Sequence, residues 1–357
     1  MFEASPQLRQ LARALRPALG LRHADDAPEP SIALARFASD RHRVGPLLHR
    51  AWSPLADADD ATTTYLERMA ANNAKRELRQ KAAARKFGAL LDAQDIGWIE
   101  FKGWRLAEEL YGESALRQSK DVDLLLAPGR VPDALELAGE HGYRIGKGGA
   151  GQSASLAMRR SRWVLRHHHE IGIVDPDMNV QIELHSRLLG YPPDGWHDPA
   201  PVAGNRANAV SLGDPDFVLY LIAHGALTGW KRLKWLCDLV MLIQRVSPEV
   251  RNAVIARART LECESALVAS LLAVAELWDK DCVASWRAET RTSPDNALVK
   301  GHLAAISRRL GLAGQPPYLE RALRHAGILR DAPVFGRHPA PLRGLRDRAA
   351  LWLLAKV

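Results

Sequence analysis

Leu8, Leu11, Ala12 and Leu15 recur at three- and four-residue intervals, the spacing of one face of a helix. Pro28-Glu29-Pro30-Ser31 then marks a turn and a cap ahead of a helix over Ile32–Asp40. From Thr62 to Asp92 an alanine-rich, charge-laced stretch without proline predicts a long helix. The pattern changes after residue 95. Gly97–Phe101 reads as a short strand, Trp104–Tyr111 as a helix, Asp121–Ala127 as a strand, Val131–His141 as a helix and Gly142–Ile145 as the start of a further strand. Strands alternating with helices predict a small α/β unit. Trp163–Val174 and Asn179–Leu184 predict two more strands, joined by the turn chemistry of Asp175-Pro176-Asp177-Met178. A symmetric turn there puts His169 opposite His185 and Ile171 opposite Glu183. From Asp216 to about residue 312 apolar positions again keep helical spacing. The chain thus divides into a helical region over 1–95, an α/β core over 96–212 and a helical domain over 213–357. An amphipathic end, Leu345–Leu354, is expected to dock on the protein's own helices.

Composition narrows the class. The 357 residues carry 49 Lys and Arg against 41 Asp and Glu, a net charge of +8. That balance suits nucleotide, nucleic acid or membrane-surface partners, but the arginines are scattered rather than blocked, so nucleic acid is not favoured over a solvated basic surface. Cys237, Cys263 and Cys282 show no paired metal spacing and read as small buried hydrophobes in a reducing compartment. The N-terminus lacks a charged region followed by an apolar block, and no window reaches the roughly 20 apolar residues of a membrane span. The expectation is a soluble cytoplasmic protein. The glycine-rich run Gly146–Gly151 lacks the Lys-Ser/Thr of a phosphate loop and receives no nucleotide role.

The chemistry concentrates in Asp121-Val122-Asp123. Side chains alternate along a strand, so Asp121 and Asp123 share one face while Val122 and Leu124 point to the other. Two adjacent carboxylates repel, and a hard cation such as Mg²⁺ relieves that repulsion while bridging to substrate phosphates. Two solvated aspartates at a strand end are the bland alternative. In Val180–His185 the same alternation puts Glu183 and His185 on a polar face, and a third acid of this kind completes a metal site or takes a proton from an attacking hydroxyl. Of His167-His168-His169 only the first and last share a face. With no cysteine partner and carboxylates nearby, Mg²⁺ or Mn²⁺ fits better than zinc. Lys102-Gly103 ends one strand and opens a helix, where free N–H groups and a full charge meet phosphate. Arg117 is placed for a phosphate or for a structural salt bridge. Lys231, Lys234 and Asp238 have the spacing of one helix face, which lines a cleft or forms an ordinary salt-bridged surface.

Phe101-Lys102-Gly103, Tyr111, Arg117, Asp121–Leu125, Gly142-Tyr143 and Ile182–His185 together resemble the uncharacterised nucleotidyltransferase family of the polymerase-beta-like superfamily. His224, Trp230, Arg232-Leu233, Trp235-Leu236 and Asp238-Leu239 are similar to that family's helical region. The resemblance runs from about residue 30 to about residue 245. It implies an α+β fold: a small mixed β-sheet nucleotidyltransferase core flanked by N-terminal helices and a C-terminal helical domain. It also implies that Asp121, Asp123 and Glu183 are catalytic and bind metal. Lys102, Gly103, Arg117, His185, Lys231, Lys234 and Asp238 are expected to serve the nucleotide. The implied reaction moves a nucleoside monophosphate from an NTP, ATP being the expected one, to a hydroxyl of a small molecule, peptide, protein or saccharide. A kinase using the same metal on the γ-phosphate, or a non-catalytic nucleotide-sensing module, are the alternatives. The broader superfamily has Gly-Ser where this chain has Lys102-Gly103, so a serine hydroxyl is missing from the phosphate grip.

Overall fold

The computed structural model describes residues 2–22, 26–53, 60–146, 169–190, 192–202, 211–311 and 334–335. Helix α1 (Pro6–Ala14) starts where the Ser5 hydroxyl accepts the Leu8 N–H, with proline at the first helical position, where no N–H is needed. Helix α2 (Ile32–Arg36) runs into a π-helical turn over Phe37–His42, and α3 (Gly45–Trp52) follows. Helix α4 (Asp60–Ala93) holds 34 residues, about 51 Å of rod at 1.5 Å per residue. Thus the long alanine-rich stretch is one uninterrupted helix.

The α/β unit follows in the expected order: β1 (Trp98–Glu100), α5 (Gly103–Tyr111), β2 (Asp121–Leu126), α6 (Val131–Glu140), β3 (Arg144–Ile145), β4 (Glu170–Val174) and β5 (Gln181–His185). The sheet order is β1-β2-β5-β4-β3. β2 and β5 are parallel; the other neighbours are antiparallel. The parallel register sets Asp121 beside Gln181, Asp123 beside Glu183 and Leu125 beside His185. Residues on adjacent strands at the same register share a face, so this pairing gathers the acids that the sequence keeps sixty residues apart.

The β4–β5 hairpin differs from the symmetric turn. Asp175 N–H donates to the Val180 carbonyl, which leaves the four residues 176–179 as the loop. The Asp175 carboxylate accepts the N–H groups of Asp177 and Met178, and Asn179 turns the chain at φ +52°. An even loop shifts the register by one. Glu170, not His169, stands opposite His185, and Gly172, not Ile171, opposite Glu183.

Beyond the sheet come α7 (Pro215–Leu227), α8 (Leu233–Arg245), α9 (Pro248–Thr260), α10 (Glu264–Leu277), α11 (Ala284–Glu289) and α12 (Ala297–Gly311). Asp214 and Ser247 cap α7 and α9, each ahead of a proline. One sheet face, with Val122, Leu124, Ile182 and Leu184, packs on Phe87 and Leu91 of α4 and Leu135 of α6. The other face contributes Ile99 and Leu125 to a second cluster that also holds Leu8, Leu11 and Leu48 of the N-terminal helices with Phe217, Leu236 and Leu271. The fold is α+β. Cys237 and Cys263 are buried as free thiols. Among the described residues no helix is long and apolar enough to cross a membrane. Residues 147–168, which include His167, His168 and most of the glycine-rich run, lie outside the described residues, as do residues 345–354.

Candidate active site

Asp123 stands in the middle of β2 and is buried, as are Glu183 and His185 on β5. One ligand-capable atom from each of the three lies within 4.8 Å of the others. His185 Nε2 is 3.1 Å from Asp123 Oδ1, and the Lys102 ammonium is 3.9 Å from the same oxygen. Burial on its own would raise the Asp123 pKa. Lys102 and the hydrogen bond to His185 outweigh it and hold the carboxyl well below the usual carboxylate range. Asp121 moves the other way, raised by burial and then by the charge of Asp123. Asp123 is therefore the more acidic of the two aspartates. Gln181 donates an N–H to Glu183 Oε1 at 2.9 Å and so fixes one carboxylate oxygen.

Lys102 closes β1 and precedes α5. Gly103 begins that helix at φ +64°, in the left-handed region where a side chain is strained. The turn folds Lys102 back over the rings of Phe101 and Tyr220, each 5.1 Å from its Nζ. Burial works to lower the Lys102 pKa, but Tyr220 and Asp123 outweigh it and keep the ammonium above its ordinary value. The Tyr220 phenol is itself pushed up to about 12 by burial, so at neutral pH Asp123 supplies the charge that keeps Lys102 protonated. The ring of Phe101, just past β1, meets His185 edge-on at 4.9 Å and braces the imidazole.

The remaining predicted residues divide. Arg117 is buried and donates from Nε to Asp238 Oδ2 at 2.9 Å, while the Tyr111 hydroxyl donates to Oδ1 of the same carboxylate at 2.8 Å. This network ties the segment before β2 and the end of α5 to α8. Lys234 reaches the Gln118 carbonyl at 2.9 Å, and burial holds its pKa well below the ordinary lysine value. Lys231 does not join that helix face. The helix starts at Leu233 because Trp230, at φ +49°, turns the chain just before it, and Lys231 lies exposed in the approach. Between α5, α7 and α8 lies a narrow cleft bordered by Lys102, Arg117, His224, Trp230, Trp235 and Asp238. Burial drives the His224 imidazole well below its usual pKa, so it faces the cleft neutral.

Glu170 escaped the sequence reading. Its carboxylate lies 3.7 Å from His169 Nε2 and 4.0 Å from His185 Nε2, and these three groups also offer ligand atoms within 4.8 Å of one another. Burial pushes the His169 imidazole down to about 4, so it too is a neutral donor of a lone pair at pH 7. The signal that could have found Glu170 is the loop length: a four-residue turn pairs it with His185. Glu100 is a further buried acid outside the predicted set, with Arg105 Nε 3.8 Å from it.

The family described as uncharacterised nucleotidyltransferase matches residues 33–279, more than half of the chain. The chain belongs to this family. The matched span covers α2 through α10 and so contains Asp121, Asp123, Glu183, His185 and Lys102 together with the helices that close the cleft. No curated protein and no solved structure gives a significant match.

Proposed function

We propose that this nucleotidyltransferase-family chain moves a nucleoside monophosphate from an NTP, ATP being the expected donor, to a hydroxyl acceptor. The acceptor class is a small molecule, a peptide or protein side chain, or a saccharide, and the setting is the cytoplasm. One observation carries the reading: Asp123, Glu183 and His185 converge within 4.8 Å on two parallel strands, with Lys102 3.9 Å from Asp123. Asp123 and Glu183 would hold a divalent cation, with Asp121 on the same strand face though outside the group whose ligand atoms lie within 4.8 Å. Carboxylates suit Mg²⁺ or Mn²⁺, and an imidazole within reach tilts the set toward Mn²⁺. When bound, such a cation offsets phosphate charge and polarises a phosphoryl oxygen.

The chain's own groups supply the rest. Lys102, kept protonated by Asp123, offers its charge to a phosphate oxygen, and the N-terminal turn of α5 offers N–H groups beside it. Glu183 accepts the proton of the acceptor hydroxyl. The acceptor oxygen then bonds to the α-phosphorus, the bond from that phosphorus to the bridging oxygen breaks, and pyrophosphate leaves. Arg117, held by Asp238, positions the segment that leads into Asp121. Incubation with NTP labelled at the α or the γ position tests the reading. Product that retains α-label supports it, whereas γ-label alone assigns phosphoryl transfer instead.

A further inference from the structure

His169 stands one residue ahead of β4, and its carbonyl is tied down by the Ser186 N–H at 2.8 Å. Adjacent residues inside a strand point to opposite faces. At the strand entry His169 escapes that rule, and its ring turns back to lie 5.6 Å from the ring of His185, centroid to centroid. Gly190 closes the far side. A Cβ there would stand 3.1 Å from His169 Nδ1, so the missing side chain is what lets the backbone pass this close to the imidazole.

Glu170 opens β4 opposite His185 and shares its face. Its Oε2 lies 3.7 Å from His169 Nε2 and 4.0 Å from His185 Nε2. Ligand atoms that share one cation at about 2.1 Å stand roughly 3 to 4 Å apart, so the three groups need little movement to close on an ion. A second observation points the same way. The His185 side chain is only 2% exposed, and its Nδ1 has no hydrogen-bond partner among the described residues. No donor occupies Nδ1, so that nitrogen can carry the imidazole proton and leave the Nε2 lone pair to a cation. The side chains of His169 and Glu170 are 27% and 26% exposed, which gives the group one buried wall and one open side.

We infer that His169, Glu170 and His185 form a binding site for a transition-metal dication, separate from the cation of Asp123 and Glu183. Two imidazoles and one carboxylate favour Zn²⁺ or Co²⁺ over Mg²⁺. Three protein ligands and an open side leave a coordination position for a substrate oxygen. The register of β4 on β5 supplies the partners that the histidine run lacks in sequence. With His185 Nε2 given to this ion, the carboxylates of Asp123 and Glu183 remain for the cation of the nucleotide. The site does not depend on the transfer reading.

Co²⁺ titrated into the full chain, stripped with EDTA and desalted, tests the site without turnover when excess Mg²⁺ is present to occupy the carboxylates. Saturable Co²⁺ binding with visible d–d absorption is expected, and Zn²⁺ should displace it. His169→Ala and Glu170→Gln should each weaken it by at least about ten-fold. Both side chains are partly exposed, and circular dichroism checks that each variant keeps the fold. Asp123→Asn should retain the Co²⁺ site. Co²⁺ binding of this kind in a protein that transfers no α-label supports the site and counts against the transfer reading alone. No saturable Co²⁺ binding beside Mg²⁺, or the same affinity in wild type, His169→Ala and Glu170→Gln, overturns the inference.

Discussion

His185 Nε2 lies 3.1 Å from Asp123 Oδ1, a contact between residues 62 apart in sequence that the parallel pairing of β2 and β5 creates. The imidazole is buried and braced by Phe101, so it fixes which way the Asp123 carboxylate points. A carboxylate held this way binds a cation with less loss of freedom than a loose one.

Removal of that brace is expected to show in metal affinity. His185→Ala should weaken Mn²⁺ binding by about 10- to 100-fold, as measured by calorimetry or electron paramagnetic resonance. An unchanged affinity in a folded variant would give His185 no part in the site.

Glu100 links the site to pH. Its carboxyl is pushed up to about 8, chiefly by burial, with Arg105 opposing. The unfolded chain ionises Glu100 near the ordinary carboxylate value, while the folded chain keeps the proton until about pH 8. The unfolded state thus binds fewer protons across that window, and stability falls as pH rises through it. Glu100→Gln should therefore match wild type below about pH 4 and exceed it by a few kcal/mol above about pH 8 in urea unfolding. A difference that does not change with pH would contradict the assignment.

The Arg117–Asp238–Tyr111 network is expected to serve structure first. Asp238→Ala strands a buried guanidinium and should cost about 3–5 kcal/mol in urea unfolding. Tyr111→Phe, which removes one hydrogen bond from the same carboxylate, should cost about 1 kcal/mol. Equal small losses in both would mean that Arg117 finds another partner.

Gly103 should be sensitive through its backbone. A Cβ there meets Glu100 Oε1 at 3.6 Å, an ordinary contact, so crowding is not the problem. The strain of φ +64° remains, and Gly103→Ala should lose about 1 kcal/mol of stability while raising KM for NTP, because the turn that folds Lys102 back is loosened. A variant with both values unchanged would show that the turn needs no glycine.

The elements around the site were legible because each writes a local pattern. The two-residue alternation of Asp121-Val122-Asp123 and of Gln181 to His185 marks strands with one polar face, and the alanine-rich run marks α4. Strand pairing is not local. Whether Glu170 or His169 opposes His185 depends on whether the loop holds four residues, which Asn179 and the Asp175 carboxylate decide after folding. Lys231 shows the same limit: its spacing to Asp238 fits a helix, but the turn at Trp230 delays the helix to Leu233.

The proposed transfer of a nucleoside monophosphate depends on Asp123. The direct measurement incubates purified wild type and folded Asp123→Asn with α-labelled and γ-labelled ATP, Mg²⁺ or Mn²⁺, and cell extract as the source of acceptor. Wild type is expected to leave α-label on a product and release pyrophosphate, with a loss of at least about 100-fold in Asp123→Asn. No α-label with any NTP or metal, or equal labelling by both proteins, would contradict it.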